Sequence, residues 1–452
     1  METNKNELGE EKIGKLLLHY ALPAIIATTA SSLYNVIDRI FIGQGVGPLA
    51  ISGLALTFPI MNLAVAFGTL VGAGAAAMVS IRMGQKHRED AVRILGNAFM
   101  LNIIIGISFS VISLIFLDNI LHAFGASPDT LPYARDFMQV ILAANVITHV
   151  FFGLNNILRA SGHPAKAMIS ILLTVGINII LAPVFIFTFQ WGIKGAAFAT
   201  VISQTIGLIW ILAHFCSKKP YIHFERGSFR LSKRIILDIF AIGMSPFIIN
   251  ILASLVTTVI NLQLRKFGGD YAIGAFGIIN SVSSLLVMII LGLTQGMQPI
   301  AGYNFGAGKT DRVIKTLKLT ILWGTGISVF GFLIAEFFPR QIAQAFTDHE
   351  EMTLLIIRGM RINLAAFGFV GFQIVVSNFF QAIGKAKVAI FLSLTRQAIF
   401  LIPFLFILPV YFQLDGVWLS TAASDIVATL TTSGVLLYYY RKIKLSGSVK
   451  SI

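Results

Sequence analysis

Ser31, Tyr34, Asn35 and Asp38 fall at i, i+3, i+4 and i+7 of an otherwise apolar stretch, SSLYNVIDRIFIG. That spacing puts all four on one face of a helix. A charge at the centre of a bilayer costs about 2.5–3.5 kcal/mol on insertion scales, so an intramembrane acid faces protein or water and marks an ion or substrate path. A carboxylate flanked by hydroxyl and amide groups can carry a proton or coordinate Na⁺ with its neighbours' oxygens. The plainer alternative is a carboxylate merely hydrogen-bonded inside a bundle. Arg39 is rotated about 100° away and lies near the helix end, within reach of the headgroups. Asp38 lies roughly 7–8 Å in from Gly43 at 1.5 Å per residue. Thr200 reaches the same depth, position 182 lies within a turn of it, and Asn178 is one turn deeper.

Other constellations are sparser. Arg396 and Asp425 are opposite charges in two late apolar segments, well away from the segment ends, and pairing would lower the cost of burying both. Asn280, Ser284 and Met288 share a face at i, i+4, i+8, a candidate wall for a substrate cavity, with Tyr34, Asn35 and Asn156 as candidates on the opposite side. The chain holds 37 Phe and 12 Met, residues that suit a promiscuous cavity, although most must pack helices or face lipid. Gly68 and Gly72 form a GxxxG face suited to close helix packing. Catalytic and metal-binding sets are not visible. Cys216 is the single cysteine, the eight histidines form no HExxH, and no nucleophile–base pair stands out. GYNFGAGKT at 302–310 imitates a phosphate loop, but the motif needs Gly where Tyr303 stands, and no strand precedes it. An ion gradient or the substrate's own gradient must then supply any driving force.

These residues require elements that cross a membrane. With 56% hydrophobic residues, 12% charged and a mean hydropathy of +0.82, the composition is not that of a soluble globule. Apolar runs of about 20 residues recur throughout. The hydropathy pattern predicts helices near 14–42, 54–80, 94–117, 133–158, 168–189, 195–215, 234–263, 272–301, 316–338, 354–381, 389–410 and 416–438. On that topology, 25 of the 34 Lys and Arg lie in the two tails and the even-numbered loops or within three residues of them. The positive-inside rule then places both termini in the cytoplasm. The same asymmetry accounts for the net charge of +14 without a nucleic-acid partner.

The two halves repeat. YALPAII around Pro23 aligns with IGMSPFII around Pro246, NNILRASG (155–162) with SNFFQAIG (377–384), and Pro183 with Pro403. Six crossings per half return the chain to its starting side, so the repeats are parallel, and transporters of this kind bind substrate between halves. The expected fold is all-α and integral to the membrane: twelve transmembrane helices in two parallel, pseudo-symmetric six-helix bundles around a central cleft. The domain boundaries would be 1–215 for the N-lobe, 216–233 for a cytoplasmic linker, 234–440 for the C-lobe and 441–452 for a cytoplasmic tail.

The repeated halves, LPAII…YNVIDRIFIG, LRASG, NIIL-P-FIF and GAAFAT together resemble the multidrug and toxic compound extrusion (MATE) family, and TRQAIFLIPFLFILP with the Asp425 segment resembles its MepA-like branch. The resemblance spans essentially the whole chain. It implies a non-enzymatic antiporter of the cell inner membrane that exports amphipathic, often cationic compounds in exchange for H⁺ or, less favoured, Na⁺. It also implies no resident cofactor, a monomer and no nucleic-acid partner. By resemblance, Asp38, Asn178 and Thr200 form the N-lobe cation site. One departure stands out: related sequences usually read N-x-x-x-D-P in the fifth helix, whereas this chain reads NIILAP, with Ala182 at the acid. The acids that NorM-like relatives carry in helices 7 and 10 are also missing, which disfavours Na⁺ coupling in the C-lobe. A lipid-linked oligosaccharide flippase of related topology is the alternative.

Overall fold

Long apolar segments form helices because hydrocarbon offers no partner for backbone N–H and C=O groups, and the helix satisfies them internally. The computed structural model describes residues 3–124, 126–344 and 350–445, and no strand occurs among them. The first half contains α1 Thr3–Glu10, α2 Ile13–Gly45, α3 Pro48–Gly84, α4 Arg88–Ile115, α5 Leu117–Ala123, α6 Leu131–Ala143, α7 Asn145–Ala160, α8 Pro164–Pro183 and α9 Gly192–Cys216. The second contains α10 Lys233–Gly306, α11 Thr310–Phe337, α12 Pro339–Gln344, α13 Glu350–Asn363, α14 Val370–Ala382, α15 Ala386–Leu394 and α16 Ile402–Leu445. α10 is two helices meeting at Gly269, whose φ of 68° suits glycine. α16 breaks in the same way at Gln413, φ 50°.

Among the described residues, nine helical runs are long and apolar enough to cross a membrane, and eleven if each of two bent pairs is one span. The sequence expects single helices at 133–158 and 354–381. Instead α6 and α7 meet at 56°, and α13 meets the run Phe367–Ala382, α14 with the short turn before it, at 47°. The final run, Ala386–Arg441, has 56 residues. At 1.5 Å per residue it would be about 84 Å long, against a hydrocarbon core of about 30 Å, so it cannot be one crossing. Two π-helical turns, Val184–Thr188 and Thr395–Leu401, interrupt the fifth and eleventh predicted helices.

The contacts group residues 26–247, with residues 3–5, into one compact unit and residues 6–25 with the described residues beyond 247 into another. Two of the unit boundaries therefore fall inside predicted membrane helices, two or fewer residues past Pro23 and Pro246. In the first unit, α3 packs on α4 and α7, and α8 packs on α9. The start of α10 also belongs there and approaches α3 at backbone distance. A Cβ at Gly243 would lie 1.8 Å from the Leu70 carbonyl oxygen, and one at Gly74 2.1 Å from that of Ile239. The second unit repeats the device, since a Cβ at Gly296 would lie 2.5 Å from Ala21 Cα. Of the GxxxG pair, Gly72 does pack closely, against Gly153, while Gly68 meets open space.

Each unit also clamps the segment leading into one of these helices. In the first, Asn97 donates to Arg230 O (3.0 Å) and accepts from Ser232 N (2.8 Å), and Arg88 donates to Tyr221 O (2.8 Å). In the second, Asn304 donates to Leu8 O (2.9 Å), Arg312 to Glu11 O (2.7 Å) and Lys309 to Gly9 O (2.8 Å). The lysine of the false phosphate loop thus anchors the N-terminal segment.

His163, between α7 and α8, stacks edge-on against His214 at 4.5 Å, and Lys166 Nζ lies 3.1 Å from His214 Nδ1. Burial first, and Lys166 second, hold the His163 pKa below its ordinary 6.5. Between the two pKa values the unfolded chain binds the proton more readily, so this stabilisation is full above about pH 6.5 and declines as pH falls through the folded value. The melting temperature of purified protein is expected to drop between pH 7 and pH 5, and His163→Gln to shrink that drop. An unchanged pH profile in the variant would contradict the assignment.

Candidate functional site

Three of the residues singled out in the first unit come together. Thr200 on α9 donates its hydroxyl proton to Ala196 O at 3.1 Å, which leaves its oxygen to accept. Tyr34 Oη lies 2.9 Å from Thr200 Oγ1, so the tyrosine is the donor there. Asn178 Nδ2 then donates to both oxygens, at 3.1 Å to Thr200 and 3.3 Å to Tyr34. Helices α2, α8 and α9 each contribute one group, and Asn178 is 2% exposed. Asp38 lies one helical turn beyond Tyr34 on the same face and is 8% exposed. A buried acid thus sits along the helix from a closed hydroxyl–amide triangle. This arrangement can offer oxygens and a carboxylate to a proton or small cation.

Other expectations separate. The side chains of Asn35 and Arg39 lie outside the described residues. Asn156 donates to Phe152 O at 3.0 Å on its own helix and lies against Gly72, so it braces the α3–α7 contact. In the second unit Asn280 and Ser284 are exposed and Met288 is half-buried. No hydrogen bond ties Asn280 or Ser284 to other described residues. Ala182 is fully buried, in the same apolar cluster as Ile42, Leu54 and Phe185. Ala182→Asp is therefore expected to lower the melting temperature rather than simply restore a ligand, because it places a carboxylate among hydrocarbon. Equal or higher thermal stability of that variant would show that polar partners at position 182 have been overlooked.

The second unit carries its own polar centre. Arg396, placed in the π-helical turn Thr395–Leu401, donates from Nε to Asp425 Oδ1 at 2.8 Å. Ser424 donates to Arg396 O at 2.6 Å. Gln373 Nε2 donates to Asp425 O and Thr429 Oγ1, both at 2.5 Å. The sequence reading missed Gln373 and Thr429. Its only available signal was a lone amide in the apolar run GFVGFQIVVSN. No group of three or more His, Cys, Asp or Glu that could hold a metal occurs among the described residues.

The MatE family model matches residues 23–184 and matches again at 246–407, starting at Pro23 and at Pro246. The chain belongs to the MatE family. Its relatives include proteins called multidrug export protein MepA. The one from Staphylococcus haemolyticus is 30% identical over 422 residues, covering 93% of each chain. The one from Staphylococcus aureus MSSA476 is 28% identical over 435 residues, covering 96% of this chain and 95% of the relative. Among solved structures, MATE in the bent conformation superimposes with a TM-score of 0.92 at 23% identity, over 98% of this chain and 99% of that one. A MOP superfamily transporter from Pyrococcus furiosus gives 0.90 at 24% identity, over 99% and 98%. The MatE fold therefore covers nearly the whole chain, and the double match establishes the internal repeat that the sequence pattern suggests. The chain is a multi-pass membrane protein of a multidrug efflux transporter family.

Proposed function

We propose that this MatE-family chain exports amphipathic, often cationic compounds in exchange for inward-moving protons, with Asp38 as the proton carrier. The observation that carries the reading is the Tyr34–Asn178–Thr200 triangle beside buried Asp38, inside the first unit. A proton that neutralises Asp38 removes the cost of enclosing a charged helix face, so closure around the protonated form is easier than around the ionised one. Coupling then requires only that inward- and outward-open states differ in their affinity for that proton and for the drug. Na⁺ is the weaker candidate because a hard cation prefers several oxygens, and Ala182 supplies none where the family resemblance implies an acid.

We take the chain to cross the membrane twelve times, counting each bent pair as one span and the 56-residue run as two. The charge bias favours both termini in the cytoplasm of an inner membrane. The protein is read as a monomer with no resident cofactor and no catalytic role. The flippase alternative is weaker because Arg396 is committed to Asp425 and not left to meet a lipid-linked phosphate.

Efflux of ethidium from proteoliposomes under an imposed pH gradient, an imposed Na⁺ gradient or neither tests the reading. The proposal requires efflux with the pH gradient alone. Efflux driven only by Na⁺ would replace the coupling ion, and efflux under neither gradient would remove the exporter reading.

A further inference from the structure

A cavity of about 290 Å³ opens within the first unit, away from the Tyr34 triangle, where the end of α3, the start of α4 and the start of α10 converge. Its rim carries Arg82, Arg93 and Arg234 with His87, against two carboxylates, Asp90 and Asp238. The acids do not neutralise the arginines evenly. Arg82 lies 3.8 Å from Asp90 and donates to Gln85 Oε1 at 3.0 Å. His87 Nδ1 also lies 3.8 Å from Asp90. The Arg93 and Arg234 guanidiniums make no hydrogen bond or ion pair with the described residues, and neither does Asp238. Buried Met78 and Ile94 form the apolar part of the lining, with half-buried Ile235 beside them.

We propose that this cavity binds a phosphate-bearing anion, either the headgroup of an anionic phospholipid or a soluble phosphate compound. Two unpaired forked guanidiniums on one rim match the oxygens of a phosphate, which they can hold by paired charge-assisted hydrogen bonds. The cavity sits at helix ends, beside the basic segments 82–93 and 226–234, on the face that the charge bias assigns to the cytoplasm. Anionic headgroups concentrate in that layer. An apolar floor under a basic rim suits the junction between a phosphate and its glycerol and acyl chain, which a free anion would leave unfilled. The inference does not depend on the transport reading, since none of these residues belongs to the proposed proton site.

Native mass spectrometry of the full-length protein in detergent, titrated with short-chain phosphatidylglycerol, phosphatidylcholine or glycerol 3-phosphate, provides the test. Phosphatidylglycerol is expected to bind and phosphatidylcholine to bind far more weakly. A basic residue near an anionic surface is worth about fivefold in affinity, so Arg93→Gln with Arg234→Gln together should weaken binding about twenty- to thirtyfold. Asp238→Asn removes a repelling charge and should tighten binding, a gain that a variant acting through misfolding would not give. Competition by glycerol 3-phosphate would assign the site to soluble phosphates as well, whereas its failure would reserve the site for lipid. Equal phosphatidylglycerol binding by the wild type and the double arginine variant would overturn the proposal, as would no binding of either phosphate compound.

Discussion

Gly243→Val is expected to leave little folded protein. A Cβ at this position would sit 1.8 Å from the Leu70 carbonyl oxygen and 3.0 Å from Leu70 Cα, both backbone atoms that no rotamer change can move. Overfilling a packed core with movable side chains costs about 1–3 kcal/mol, and a backbone collision exceeds that because whole helices must separate. The reciprocal contact between Gly74 and Ile239 shows that both helices lack room there. Gly277, on the same helical run, meets nothing within 4 Å, so Gly277→Ala is the matched control and should be neutral or slightly stabilising. Yield and melting temperature by fluorescence-detected size exclusion read the result. Wild-type stability in Gly243→Val would mean that α3 and the start of α10 do not approach as described.

The second large effect concerns the buried ion pair, and the two partners should not be equivalent. The Asp425 side chain is 4% exposed and the Arg396 side chain 28%. Arg396→Ala leaves a carboxylate buried without its charged partner, a change that costs about 3–5 kcal/mol in comparable cases. Asp425→Ala should cost less, because the partly exposed guanidinium can reorient along its long stem. The double replacement Arg396→Met with Asp425→Leu removes both charges and should be milder than Arg396→Ala alone, since well-packed apolar pairs often match buried ion pairs in stability. Melting temperatures of the four proteins give the comparison. Additive losses would show that the two residues act independently, despite their 2.8 Å contact.

The sequence carried the membrane class and the repeat because both leave strong signals. Apolar runs of spanning length are rare in soluble chains, and Pro23 and Pro246 sit at matching points of matching segments. The face bearing Tyr34 and Asp38 was legible because intramembrane polar groups are costly and helical spacing groups them. Its partners Asn178 and Thr200 were reached through depth and family resemblance. Hydropathy says nothing about which bundle a helix joins, so the placement of residues 6–25 with the second half could not be read. Nor could the bends after α6 and α13, where no proline marks the break. Gln373 went unnoticed for a related reason. An uncharged amide barely disturbs an apolar run, and only the fold reveals that it holds Asp425 O and Thr429.

Exchange itself is the central claim, and the most direct measurement records the proton. Proteoliposomes enclosing a pH-sensitive dye, given an outward-directed ethidium gradient and no initial pH gradient, should take up protons as ethidium leaves through the wild-type protein. Asp38→Asn should remove the proton signal. Proton uptake by Asp38→Asn at the wild-type rate would contradict the account, because the carboxylate on the Tyr34 face would then not be the carrier.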